Sequence, residues 1–125
     1  MSPAKQAPVD VSQEELLNHS HLETLRSVGI IDKVVPQALQ VTRSLLENLE
    51  DPVARRESAA ARELLHNLIG LCGNMGSHTL HQKVRSMYAQ LVDHQQWPAP
   101  GWHEELLQLH TRTGQALRER YLPQA

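Results

Sequence analysis

The sequence predicts an all-α protein: an up-down antiparallel four-helix bundle with an additional helical segment at its N-terminal end. Three observations carry this. Apolar residues recur at spacings of three and four over several stretches, the period of a helix that buries one face. No stretch alternates cleanly at period two, as a half-buried strand does. The connections are short, so consecutive helices turn back on one another. The chain has 125 residues, 40% hydrophobic but only 3% aromatic, with no Phe. That suits one domain whose core is filled by Leu, Val and Ala.

Residues 1–11 carry Pro3 and Pro8 and little periodicity. They read as a flexible lead-in or linker, with the helical domain spanning residues 12–122. Ser12-Gln13-Glu14-Glu15 matches a capping box and opens a short helical stretch through Leu17. Ser20-His21-Leu22-Glu23 matches a second, and Gly29 is placed to end that helix in a left-handed turn. The next helix is expected from Asp32 to about Leu49, with Val34, Val35, Ala38, Leu39, Val41, Leu45, Leu46 and Leu49 inward. Pro36 falls near its first turn, where proline does least harm. Asp51-Pro52 reads as a turn or a new N-cap. The central helix is expected from Ser58, or from as early as Val53, to about Met75. Gly76 breaks it and Ser77 caps the following helix, which runs to about Gln95 and buries Leu80, Val84, Met87, Leu91 and Tyr88. Trp97-Pro98-Ala99-Pro100-Gly101 is a stiff turn. A last helix from Trp102 to Leu122 carries Leu106, Leu107, Leu109, Ala116, Leu117 and Tyr121.

Net charge is −2 and the pI about 6.4. No basic field exists to hold nucleic acid or an anionic membrane surface. The single cysteine excludes an intrachain disulfide and any zinc site needing two thiolates. No apolar run approaches the roughly 18 residues of a membrane span. The start of the sequence lacks the basic region and apolar core of a secretory signal. A cytoplasmic protein is the expectation.

The most informative stretch is Leu65 to Ser77, LHNLIGLCGNMGS. At about 100° per residue, His66 shares a helix face with Ala59, Arg62, Ile69, Gly70 and Gly73. The opposite face would hold Ala61, Leu64, Leu68, Leu71 and Met75, with Leu65 and Cys72 flanking it. His66 is thus expected in solvent, with two glycines clearing space beside it. Each interior helical glycine costs about 1 kcal/mol relative to alanine. A fold accepts that cost more readily where a partner must come close. Cys72, beside the apolar stripe, reads as a small buried hydrophobe.

His66-x-Leu68-x-Gly70, then Met75-Gly76-Ser77, then Leu80, resembles the histidine phosphotransfer (HPt) domain of bacterial phosphorelays. The family pattern is His-x-Leu-Lys-Gly, then an aliphatic residue, Gly and a small residue, then Leu, and the match is in register without gaps. The helix order extends the resemblance over residues 12 to 122. It implies that His66 is the phosphoacceptor, relaying a phosphoryl group between aspartates of receiver domains. Leu68, Met75, Gly76 and Leu80 would be the structural part of the motif. Arg62, Ile69, Gly70, Gly73 and Lys83 would form the docking surface. The implied partners are response-regulator receiver domains and a hybrid sensor histidine kinase, with the domain acting as a monomer. No cofactor is expected on this chain, because the receiver supplies the Mg²⁺ ion. One departure stands out: the family's Lys is Ile69 here. Arg62, one turn before His66, or Lys83 or Arg85 on the following helix, could supply the missing charge. Ile69 is either an exposed apolar contact for a partner or leans on a neighbouring helix. The alternative function is an HPt-like module that docks a receiver or kinase without being phosphorylated.

The chemistry is sound on elementary grounds. An imidazole ordinarily titrates near pH 6.5, so at neutral pH a solvated one offers a ring-nitrogen lone pair. Phosphoryl transfer proceeds in line and rests on positioning and electrostatics, most of which the receiver contributes. Other chemistries find less support. His78 and His81 lie three apart on one helix, an arrangement that can bind zinc or copper in a bundle, and His19 and His21 flank a helix start, but no Glu-x-x-His pair recurs on two helices. Solvated surface histidines are therefore expected there, and His94, His103 and His110 have no partner pattern. No Ser-His-Asp or Cys-His constellation is evident. Gly70, Gly73 and Gly76 lie on or at the end of a helix and make no phosphate-cradling loop.

Overall fold

A computed structural model of the chain describes residues 16–122. The expected lead-in and the capping box at Ser12 lie outside those residues. The described part holds five helices: α1 (His19–Ser27), α2 (Ile31–Ala54), α3 (Ser58–Asn74), α4 (His78–His94) and α5 (Trp102–Arg120). Helix α2 packs on α3 and α5, α4 packs on the same two, and α1 rests on α2. This is a closed ring of four with an N-terminal addition. Cross-helix pairs give the directions. His103 and His110 of α5 reach the carbonyls of Leu46 and Leu39 in α2, so those helices run oppositely. Gly73 faces His81 and His66 faces Tyr88, so α3 and α4 do too. The bundle is up-down and antiparallel, as expected from the short connections.

Several helix ends differ from the sequence expectation, each for a local reason. Helix α1 starts one residue before Ser20, because the Asn18 side chain accepts from the His21 amide and takes the cap. Its end is as expected. Gly29 adopts φ +77°, with Gly29 N–H donating to the Arg26 carbonyl and Ile30 N–H to the Leu25 carbonyl. This paired closure satisfies carbonyls that have no partner within the helix. Helix α2 runs past Asp51-Pro52 instead of turning there. Pro52 sits one turn from the end, where its missing N–H breaks only one bond of the ladder, and it buries against the core. The helix then closes through Arg56 at φ +56°, whose guanidinium lies 5.2 Å from the Trp97 ring centroid. Ser77 does hold the N-cap position of α4, but its hydroxyl donates to the Cys72 carbonyl instead of capping.

The core stripe of α3 is Ala61, Leu65, Leu68, Cys72 and Met75, a strict four-three alternation. Leu64 and Leu71, expected at its centre, are half-buried on its flank, while Leu65 and Cys72 take their place. The stripe that wins is the one whose 3.5-residue period follows the neighbouring helices. In α2 the outcome is similar. Val41 is 40% exposed and Thr42 buried instead, its hydroxyl 4.0 Å from the Met75 sulfur. Leu22, Leu46, Leu49, Leu65, Leu68, Leu80, Leu106 and Leu117 are among the fully buried side chains. Each contributes about 1.5–3 kcal/mol through removal from water.

The turn between α3 and α4 is clamped by the N-terminal segment. Gly76 has φ +72°, and a Cβ built there would lie 2.6 Å from the Leu22 side chain. The Gly76 carbonyl accepts from Asn18 N–H at 2.7 Å, and Leu17 forms an isolated bridge with Ser77. His21 Nε2 donates to the Asn74 carbonyl at 2.8 Å. The addition therefore locks the C-terminal end of the helix that carries His66.

Candidate functional site

His66 lies midway along α3 and is exposed. Its Cα is held by the buried residues on either side of it, Leu65 and Leu68, which point the opposite face outward. The imidazole carries no hydrogen bond to a described residue. Its neighbour is Tyr88 of α4, with ring centroids 6.3 Å apart and planes tilted by 47°. Tyr88 is half-buried and leans on the core, so it forms a fixed wall beside a free ring.

The glycines around His66 fall into two kinds. At Gly76 a side chain would collide with Leu22, so glycine is required by the fold. At Gly70 a Cβ would meet nothing within 4 Å, and at Gly73 only the His81 ring at 3.8 Å. Neither position needs glycine for internal packing. Gly70 leaves the α3 backbone bare to solvent about one turn after His66, and Gly73, about two turns after it, is half-buried beside the His81 ring.

Leu68, Met75 and Leu80 are fully buried and Gly76 is buried with them, so the structural part of the motif is core and turn. Ile69 is half-buried and packed against the core, which answers the question its sequence position raised: it leans inward. Arg62 is exposed one turn before His66. Lys83 is committed elsewhere, its ammonium 2.7 Å from the Glu105 carboxylate on α5. Arg85 lies between His81 and Tyr88 on the strip of α4 that faces Gly73 and His66. Its charge reaches His81, where burial first, then Arg85 and His78, hold the imidazole below its ordinary value.

Four of the other histidines are structural, contrary to the expectation of solvated surface residues. His21 and His103 tie neighbouring segments to backbone carbonyls, and His19 bonds the Tyr121 hydroxyl. His110 is 8% exposed, and its Nε2 donates to the Leu39 carbonyl at 2.9 Å. Burial holds His110 below the ordinary histidine value, partly opposed by that bond, with Arg43 and Arg118 pushing the same way as burial. The signal was present in the sequence: His103, Leu106, His110, Thr113 and Leu117 form one continuous three-four stripe. Cys72 is buried as expected, and burial pushes its thiol up to about 12 despite the hydrogen bond with Ser77.

Among the described residues no three of His, Cys, Asp and Glu converge as a metal set. No described helix is long and apolar enough to cross a membrane. Comparison of the chain with protein-family models, curated proteins and solved structures returns no match.

Proposed function

We propose that this protein is a histidine phosphotransfer domain, with His66 as the phosphoacceptor. The observation that supports it best is the pairing of an exposed, unbonded imidazole with a glycine-bared helix face that internal packing does not require. An acyl phosphate on a receiver aspartate needs such clearance, because its phosphorus must come within bonding reach of a ring nitrogen along the line of the breaking bond.

In the forward step the lone pair of the unprotonated ring nitrogen attacks phosphorus. The P–N bond forms as the P–O bond to the aspartyl carbonyl breaks, and the aspartate leaves as a carboxylate. The proton on the other ring nitrogen then leaves the resulting imidazolium or stays to assist the return. In the return step an aspartate oxygen of a second receiver attacks, and the imidazole departs. A Mg²⁺ ion held by the receiver, and not by this chain, would supply neutralisation of charge on the transferring group. This chain contributes the nucleophile, the Tyr88 ring beside it, and the surface formed by Arg62, Gly70, Gly73 and Arg85. Its partners are receiver domains and a hybrid sensor histidine kinase, and it works as a cytoplasmic monomer.

The test is incubation with a phosphorylated receiver and its kinase. The relay predicts an acid-labile, alkali-stable label on the wild type that His66→Gln abolishes. Stable docking without label would replace it with the non-phosphorylated module.

A further inference from the structure

A groove of about 870 Å³ separates α2 from α5, on the side of the bundle opposite His66. Its α2 wall is Pro36, Leu39 and Arg43. Along α5 it is lined by His110, Gly114 and Arg118, spaced by four and so on one face. None of these takes part in the phosphotransfer reading. Gly114 is the key. It is buried in the interior of a 19-residue helix, where glycine costs about 1 kcal/mol relative to alanine. It does not serve close helix packing: the nearest atoms to a Cβ built there all belong to the Arg118 guanidinium, 3.3–3.7 Å away. The missing side chain lets that guanidinium fold back into the groove. Arg118 makes no ion pair among the described residues, even though Asp32 also lines the groove.

Beside it, the His110 Nε2–H is fixed on the Leu39 carbonyl. Arg43 crosses the groove toward α5, 3.3 Å from the Leu107 carbonyl, while pairing with Glu47. A guanidinium with no ion pair among the described residues, a second held by Glu47 and Leu107, and the apolar surfaces of Pro36, Leu39 and Leu122 make a concave site, with Gln40, Ser44 and Thr111 as further polar lining. We propose that this groove binds a small amphipathic monoanion, a carboxylate on an apolar chain. Arg118 takes the carboxylate, and Pro36, Leu39 and Leu122 cover the chain. Asp32 at the same groove disfavours a second negative charge.

Titration of the whole protein with octanoate, octanol and octylammonium, followed by amide chemical shifts, tests this. Octanoate is expected to saturate, with shifts confined to α2 and α5, and the neutral and cationic analogues to bind at least tenfold more weakly. Arg118→Gln should weaken octanoate about tenfold, the loss of one charge-assisted hydrogen bond. Gly114→Ala should raise the melting temperature yet weaken octanoate, because its Cβ displaces the guanidinium. Equal binding of all three probes, no saturation at millimolar octanoate, or unchanged affinity in both variants would overturn the proposal. None of these readouts depends on whether His66 is phosphorylated.

Discussion

The Tyr88 ring stands 6.3 Å from the His66 imidazole, centroid to centroid, and is itself anchored against the core. Under the proposed function it would limit the directions in which the imidazole can turn. Tyr88→Ala is expected to slow phosphoryl transfer to His66 on the order of tenfold, since small misplacements of a reacting group are costly. Tyr88→Phe should retain most of the rate, because the ring and not the hydroxyl makes the wall. Single-turnover transfer from a phosphorylated receiver measures both, and an unaffected Tyr88→Ala would remove this role.

Gly70→Ala separates stability from function. Nothing lies within 4 Å of the added Cβ, so the protein should gain about 1 kcal/mol from better helix propensity. Under the proposed function transfer should slow, because the methyl group enters space that a receiver would occupy. Chemical denaturation and transfer kinetics on the same preparation make the comparison. A variant both more stable and fully active would show that the bare face is not used.

Gly76→Ala should behave in the opposite way. The left-handed backbone and the contact with Leu22 together are expected to cost about 2–4 kcal/mol, measured as a lowered denaturation midpoint. A loss of less than about 1 kcal/mol would mean that Leu22 moves aside easily.

Arg85→Gln should shift the transfer equilibrium back toward the receiver by about three- to fivefold, the size of one exposed charge interaction. Lys83→Gln should shift it less, because Glu105 already holds that ammonium. Equal effects would argue for a diffuse field and against a placed cation.

Acid should destabilise the bundle at two places, at His110 on the α2–α5 seam and at His81 on the α3–α4 face. His110 and His81 both titrate below the ordinary histidine value when folded, so the unfolded chain binds more protons in the acidic range. Their contribution is complete above about pH 6.5 and is lost as pH falls from there toward the folded values. His110→Gln, whose amide can still donate to the Leu39 carbonyl, is expected to flatten this part of the stability profile. A wild-type stability unchanged between pH 7 and pH 5 would contradict the assignment.

The bundle was largely legible because its determinants are local. The three-four period, Gly29 and Gly76 at helix ends and the proline turn before Trp102 each act within a few residues. What escaped depends on tertiary packing and on side-chain hydrogen bonds that no periodicity encodes. Asp51-Pro52 reads as a turn or a new N-cap, yet the packing of α2 carries the helix through it. Ser77 was read as a cap, yet its hydroxyl turns back to Cys72. His103 and His110 share a three-four stripe with Leu106 and Leu117, but only the carbonyl partner on α2 fixes where each imidazole is bonded. At the site, the exposure of His66 and the bare glycines followed from helix geometry alone. The Tyr88 wall and the Lys83–Glu105 pair did not, since both depend on how α4 sits between its neighbours.

The most direct measurement is mass-spectrometric mapping of the protein after reconstitution with a receiver and its kinase, kept alkaline throughout. The account predicts one phosphate, on the imidazole of His66, lost on brief acid treatment. Phosphate on a different residue, or none while the receiver turns over, would contradict it.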